Sequence, residues 1–125
     1  MKTRILLVEN REISRIAIRI QINRQPDMEV VGEAENCTEA IEKARELRPH
    51  VILMDINIPM LFGTEEACRV LAEISGMKIL AFSTYCGDGL DSCRIIAGTP
   101  ENILEGCDTG ELLRMIHTIA GSVHD

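Results

Sequence analysis

The chain of 125 residues has no tryptophan, and its aromatic complement is Phe62, Phe82 and Tyr85, so its core must be aliphatic. Positive charge is scarce. With 13 Lys and Arg against 20 Asp and Glu the net charge is −7, which argues against direct binding of nucleic acid or of anionic membranes. Lysine occurs at Lys2, Lys43 and Lys78 and nowhere beyond. No apolar run approaches the length of a membrane span. The opening "MKTRILLVEN" is charged, then strand-like, and no cleavage site follows, so it reads as folded protein and not as a signal peptide. There is no G-x-G-x-x-G after the first apolar run and no G-x-x-x-x-G-K-[ST], which excludes nucleotide sites of those kinds. The five cysteines, Cys37, Cys68, Cys86, Cys93 and Cys107, contain no C-x-x-C and no zinc-ligand spacing. Free thiols of a cytoplasmic protein are the expected reading.

What is present is an alternation of strand and helix patterns. "RILLV", "MEVVGEA", "HVILMD" and "MKILAFS" read as strands, the last ending at Ser83. Between them, "EISRIAIRIQINR" places Ile13, Ile16, Ala17, Ile20 and Arg24 at helical spacing. "CTEAIEKARELRP" turns Ala40, Ile41, Ala44 and Leu47 inward, with Thr38 as N-cap and Pro49 as stop. "GTEEACRVLAEIS" is capped by Thr64. Beyond Ser83 the pattern weakens. "DGLDSCRIIAG" reads as a short helix through Leu90, Cys93, Ile96 and Ala97, and "ENIL" is too short to assign alone. Asp108 can cap "TGELLRMIHTIAG", with its stripe Leu112, Leu113, Ile116 and Ile119. Strand–helix repeated five times implies a parallel sheet with helices on both faces. No linker or repeat divides the chain, so residues 1–125 are expected to form one domain.

In such a sheet all strands end at one edge. The first ends in Glu9 and Asn10, the third in Asp55 and the fourth in Ser83. Acids with a nearby hydroxyl suit a divalent cation and a phosphoryl group, with Asp55 as nucleophile. Equally, a short acid after a strand can simply cap the next turn or helix.

The chain resembles a receiver domain of bacterial two-component response regulators, and within that family the receivers that precede a helix-turn-helix output module. "RILLVEN", "MEVVGEAENCTEAIEKARELRPHVILMDINIP" and "ILAFST" carry the resemblance, with Pro59 and Gly63 at the family's spacing. It implies a doubly wound, flavodoxin-like sheet of five parallel strands in the order 2-1-3-4-5. It also implies phosphorylation of Asp55 by a histidine kinase, with Ser83 as the switch hydroxyl and Mg2+ held by Glu9, Asn10 and Asp55. A receiver is not an enzyme in the usual sense.

Three departures accompany the resemblance. The second acid of the family's pair is Asn10, so Mg2+ binding should be weak. The lysine of the fifth strand falls on Glu105, which leaves the acids with no fixed cation. The aromatic switch position falls on Asn102 or Ile103. A pseudo-receiver that acts by protein contact is therefore an alternative to a working phospho-acceptor, and a metal-dependent enzyme of another class is a third reading. A homodimer through the fourth and fifth helices would use Leu90, Arg94, Glu111 and Arg114. An output module would add roughly 60 residues and a more basic character, and these residues carry none.

Overall fold

In a computed structural model, residues 2–55, 78–86, 93–99, 102–107 and 109–124 are described. The strands are β1 (Thr3–Val8), β2 (Met28–Ala34), β3 (Val51–Asp55), β4 (Lys78–Cys86), β5 (Cys93–Thr99) and β6 (Asn102–Cys107). The helices are α1 (Glu12–Asn23), α2 (Cys37–Leu47) and α3 (Thr109–His124). The helix expected after Thr64, together with Pro59, Gly63 and Leu90, lies outside the described residues.

Successive strand side chains point to opposite faces of a sheet. Here the alternation sorts the core into two layers. Ile5, Leu7, Val51, Leu53, Leu80 and Phe82 pack on one face with Ile22 of α1 and Leu112, Ile116 and Ala120 of α3. Leu6, Val8, Ile52, Met54 and Ile79 pack on the other face with Ala40 and Ala44 of α2. A strand covered on both faces reads as an unbroken apolar run, and this accounts for the full burial of β3 from Val51 to Asp55.

The strands lie in the order β2-β1-β3-β4-β5-β6. The first four are parallel, as expected. Among the described residues no fifth parallel strand lies beside β4. β5 takes that place and runs antiparallel, with Ser83 opposite Ile96, and β6 pairs antiparallel beyond it. The short helix expected through Cys93 and Ala97 is therefore corrected to a strand. Its segment "CRIIAGT" holds adjacent isoleucines and a threonine, stiff at χ1 and suited to a pleated sheet, with Gly98 disfavouring a helix. Arg94, expected on a helical surface, lies in β5. β4 also runs on past Ser83 to Cys86, because β5 supplies partners for its last four residues.

Two local expectations are also corrected. α2 is capped by Asn36 and not by Thr38: the Asn36 side chain accepts from the Glu39 amide at 2.9 Å and donates to the Glu39 carboxylate at 3.0 Å. α1 is rotated from its expected phase. Ile13 is 84% exposed, whereas Ile22 is buried and Ile18 packs on the core. Isoleucines at 13, 16, 18, 20 and 22 allow two stripes to be drawn, and charge selects between them. Arg15 and Arg19 pair with Glu33 of β2, and Arg15 also with Glu35, so this side of the helix faces the sheet.

At the N-terminal edge His50 stitches three strands. Its Nδ1 accepts from the Arg4 amide at 3.0 Å, its amide donates to the Arg4 carbonyl at 2.8 Å, and its carbonyl accepts from the Lys78 amide at 3.3 Å.

Candidate functional site

The opposite edge is built from the ends of β1 and β3. These two strands are neighbours with Val8 level with Met54, so the residues that follow, Glu9 and Asp55, come side by side. Both are fully buried. The Glu9 amide is held by the Ala34 carbonyl at 2.9 Å, and its carbonyl accepts from Arg15 Nη1 at 3.1 Å. The turn that carries this acid is therefore tied both to β2 and to α1.

Arg11 closes the site. Its Nε donates to Glu9 Oε1 at 3.2 Å and its Nη2 to Asp55 Oδ2 at 3.2 Å, while its backbone amide donates to the same Glu9 Oε1 at 2.9 Å. One edge of a planar guanidinium thus spans two carboxylates that arrive on different strands. The side chain is 47% exposed, whereas those of its partners are buried. Glu9 also closes the turn into α1, its Oε1 accepting from the amide of Arg11, the residue just before the helix. That is the plainer of the two readings of an acid after a strand, and it holds for Glu9 whatever else the residue does.

Burial pushes the Glu9 carboxyl up. A hydrogen bond shared with Asp55, together with the amide and guanidinium of Arg11, outweighs this and holds it below the ordinary value of 4.5. Hydrogen bonding to Glu9 raises the Arg11 guanidinium above its ordinary value; partial burial opposes the rise, and the charges of Glu9 and Asp55 add to it. Glu9 Oε2 is buried without a hydrogen-bond partner.

Of the residues singled out from sequence, Glu9 and Asp55 are brought together, and Asn10 sits exposed between Glu9 and Arg11. Ser83 follows Phe82, the residue of β4 level with Asp55, so its backbone lies at the same edge. Glu105 is not beside them. Asp55, Phe82, Ala97 and Leu104 form one row across four strands, so Glu105 and Asn102 belong to a strand separated from β3 by β4 and β5. At about 4.8 Å per strand that is some 14 Å away along the row.

The expectation of acids without a fixed cation is corrected by Arg11. The cation stands two residues after Glu9, in the turn that follows β1. The legible signal was the "ENR" triplet, since a loop of three residues between a strand and a helix cannot carry its third side chain far from its first.

The sequence profile of the response regulator receiver domain matches residues 5–117. The chain belongs to this family. The receiver is 30% identical over 116 residues to the response regulator protein VraR of Staphylococcus saprophyticus, covering 93% of this chain and 56% of that one. It is 38% identical over 86 residues to a protein-glutamate methylesterase/protein-glutamine glutaminase of Methanosarcina acetivorans, covering 69% of this chain and 24% of that one. It spans about half the length of the first relative and about a quarter of the second. Among solved structures it is similar to a two-component response regulator of the LuxR family from Aurantimonas, at a TM-score of 0.75 and 28% identity over 98% of this chain and 87% of that one. Receivers act by phosphotransfer and autodephosphorylation and not as turnover catalysts, and family membership carries a role in phosphorelay signalling. No described helix is long and apolar enough to cross a membrane.

Family membership implies Mg2+, and the donor set can be weighed. Two buried carboxylates offer hard oxygen ligands, and the unpartnered Glu9 Oε2 is an acceptor in want of a positive partner. No described group of three His, Cys, Asp or Glu residues is arranged for a metal. Magnesium commonly keeps several waters and needs one or two carboxylates, so Glu9 and Asp55, with the Asn10 amide oxygen, fit it as a lightly liganded ion.

Proposed function

We propose that the receiver accepts a phosphoryl group on Asp55 from a histidine kinase and passes the change to an output module, attached or separate. The observation that carries this reading is Asp55 itself: a buried carboxylate at the end of β3, beside Glu9, with a guanidinium within 3.2 Å. In the transfer an Asp55 oxygen attacks phosphorus and the bond to the kinase imidazole breaks. Asp55 gives up its carboxylate charge, and a dianionic phosphoryl group takes its place.

Catalysis of such a transfer lies in positive charge set against the phosphoryl oxygens. Glu9 and Asp55, with Asn10, would hold Mg2+ there, and the ion would neutralise part of the phosphoryl charge. Ser83, at the same edge, would donate a hydrogen bond to a phosphoryl oxygen. Asn10 in place of an acid weakens the ion's hold, so transfer should be slow. Asn102 and Glu105, where the family keeps its aromatic switch and lysine, would transmit the change poorly.

A second reading is a pseudo-receiver that works by contact alone. It is favoured by the pairing already in place, with Glu9 Oε1 engaged by the Arg11 amide and Asp55 Oδ2 by the Arg11 guanidinium. Acetyl phosphate with Mg2+ separates the two. An Asp55-dependent mass increase, absent in Asp55→Asn, supports the phospho-acceptor. An unlabelled, folded chain that a histidine kinase also fails to label leaves the pseudo-receiver. Sedimentation of the labelled and unlabelled chain tests self-association through the α3 surface of Glu111 and Arg114.

A further inference from the structure

The guanidinium of Arg11 occupies the position that a bridging cation would need. Its Nε and Nη2 each take one oxygen from a different buried carboxylate. With both acids ionised, Glu9 and Asp55 carry two negative charges, and Arg11 places a single positive charge between them. A divalent ion in the same place would balance both. Arginine and ion together would crowd like charges around shared oxygens, which is unfavourable at so short a range.

We propose that Arg11 and a divalent cation are alternative occupants of the space between Glu9 and Asp55, so that metal binding expels the guanidinium to solvent and Arg11 sets this receiver's metal affinity. The geometry provides for the exchange. The Arg11 side chain is already half exposed, so its way out is open. Its backbone amide is bonded to Glu9 Oε1 independently of the guanidinium, so the turn into α1 keeps an anchor when the side chain leaves. The buried Glu9 Oε2, without a donor while arginine is in place, gains a ligand when the ion arrives. In the metal-free state Asp55 is held by an ion pair through Oδ2; in the metal-bound state that pair is broken. The exchange bears on signalling only through the reading of Asp55 as phospho-acceptor, but it is measurable without phosphorylation.

The test is magnesium titration of the chain and of Arg11→Gln by calorimetry, with the Arg11 Nε–H resonance followed in the unaltered chain. Removing the competing charge should tighten Mg2+ binding about tenfold, which is about 1.4 kcal/mol. In the unaltered chain the Nε–H signal should move from its ion-paired position to that of a solvated arginine along the same titration curve. Equal or weaker binding by Arg11→Gln overturns the proposal, as does the absence of binding in both proteins. An Nε–H signal that stays fixed while the metal binds overturns it without recourse to any variant. Phosphodonors supply the separation: exchange observed with no labelling of Asp55 by acetyl phosphate or by a histidine kinase rejects the phospho-acceptor reading and leaves the exchange standing.

Discussion

Arg11 and Asp55 lie 44 positions apart in the chain and meet at 3.2 Å, through a guanidinium nitrogen and Asp55 Oδ2. The pair is asymmetric, because the acid is buried and the arginine is 47% exposed. Arg11 also serves Glu9, so losing the arginine leaves two buried carboxylates against each other, whereas losing Asp55 leaves Glu9 still paired with Arg11.

The first prediction follows from that asymmetry. Arg11→Ala should destabilise the metal-free chain by about 1–3 kcal/mol, below the range for a fully buried pair because solvent reaches the guanidinium. Asp55→Asn should be neutral or stabilising. Combining the two should recover much of the loss, a non-additivity that urea unfolding of the four proteins in chelator will measure.

Acid should act through Glu9. Its folded-state pKa lies below 4.5, so the stability from its charge is present in full above about that pH and is lost as the pH falls through the lower folded value. Arg11 stays protonated throughout, since its own shift is upward. Unfolding free energy measured from pH 6 downward should therefore fall less steeply in Glu9→Gln. Equal slopes in the two proteins would dismiss Glu9 as the source.

The layered core predicts a contrast between two aliphatic truncations. Leu53→Ala, at a fully buried position of β3, should cost about 2–5 kcal/mol. Ile13→Ala, on the exposed face of α1, should change stability by less than about 0.5 kcal/mol. Were α1 to lie in the phase its sequence first suggests, Ile13→Ala would cost several times as much in chemical denaturation.

Asn36→Ala removes the reciprocal bonds with Glu39 at the start of α2 and should cost about 1 kcal/mol, whereas Thr38→Ala should cost little. A larger loss at Thr38 in thermal unfolding would contradict the capping seen here.

β1, β3 and β4 were legible because each holds a continuous aliphatic run closed by a polar residue, and β2 from its adjacent Val30 and Val31; the two core layers follow from simple alternation along β1, β3 and β4. Ala40, Ala44, Leu112 and Ile116 were legible for the same reason at helical period. The phase of α1 was not, because isoleucine at every second position fits either stripe and the choice was made by Glu33 and Glu35, which lie on other elements. β5 was hidden because seven residues of mixed character satisfy a helical face as readily as a strand, and only pairing with β4 decides. Glu9 and Asp55 could be found from strand ends alone. The placing of Arg11 beside Glu9 was legible in the "ENR" triplet, but its pairing with Asp55 was not, since that partner in β3 is 44 positions away.

A counter-ion drawn from the far side of a domain makes charge balance a property of the whole assembly. Here it is a neighbourhood property. The acid Glu9 and the cation Arg11 stand two residues apart on one short turn, which β1, α1 and the Ala34 carbonyl hold in place. A receiver so wired carries an acid and its cation on one turn, so a change in the course of that turn moves both together.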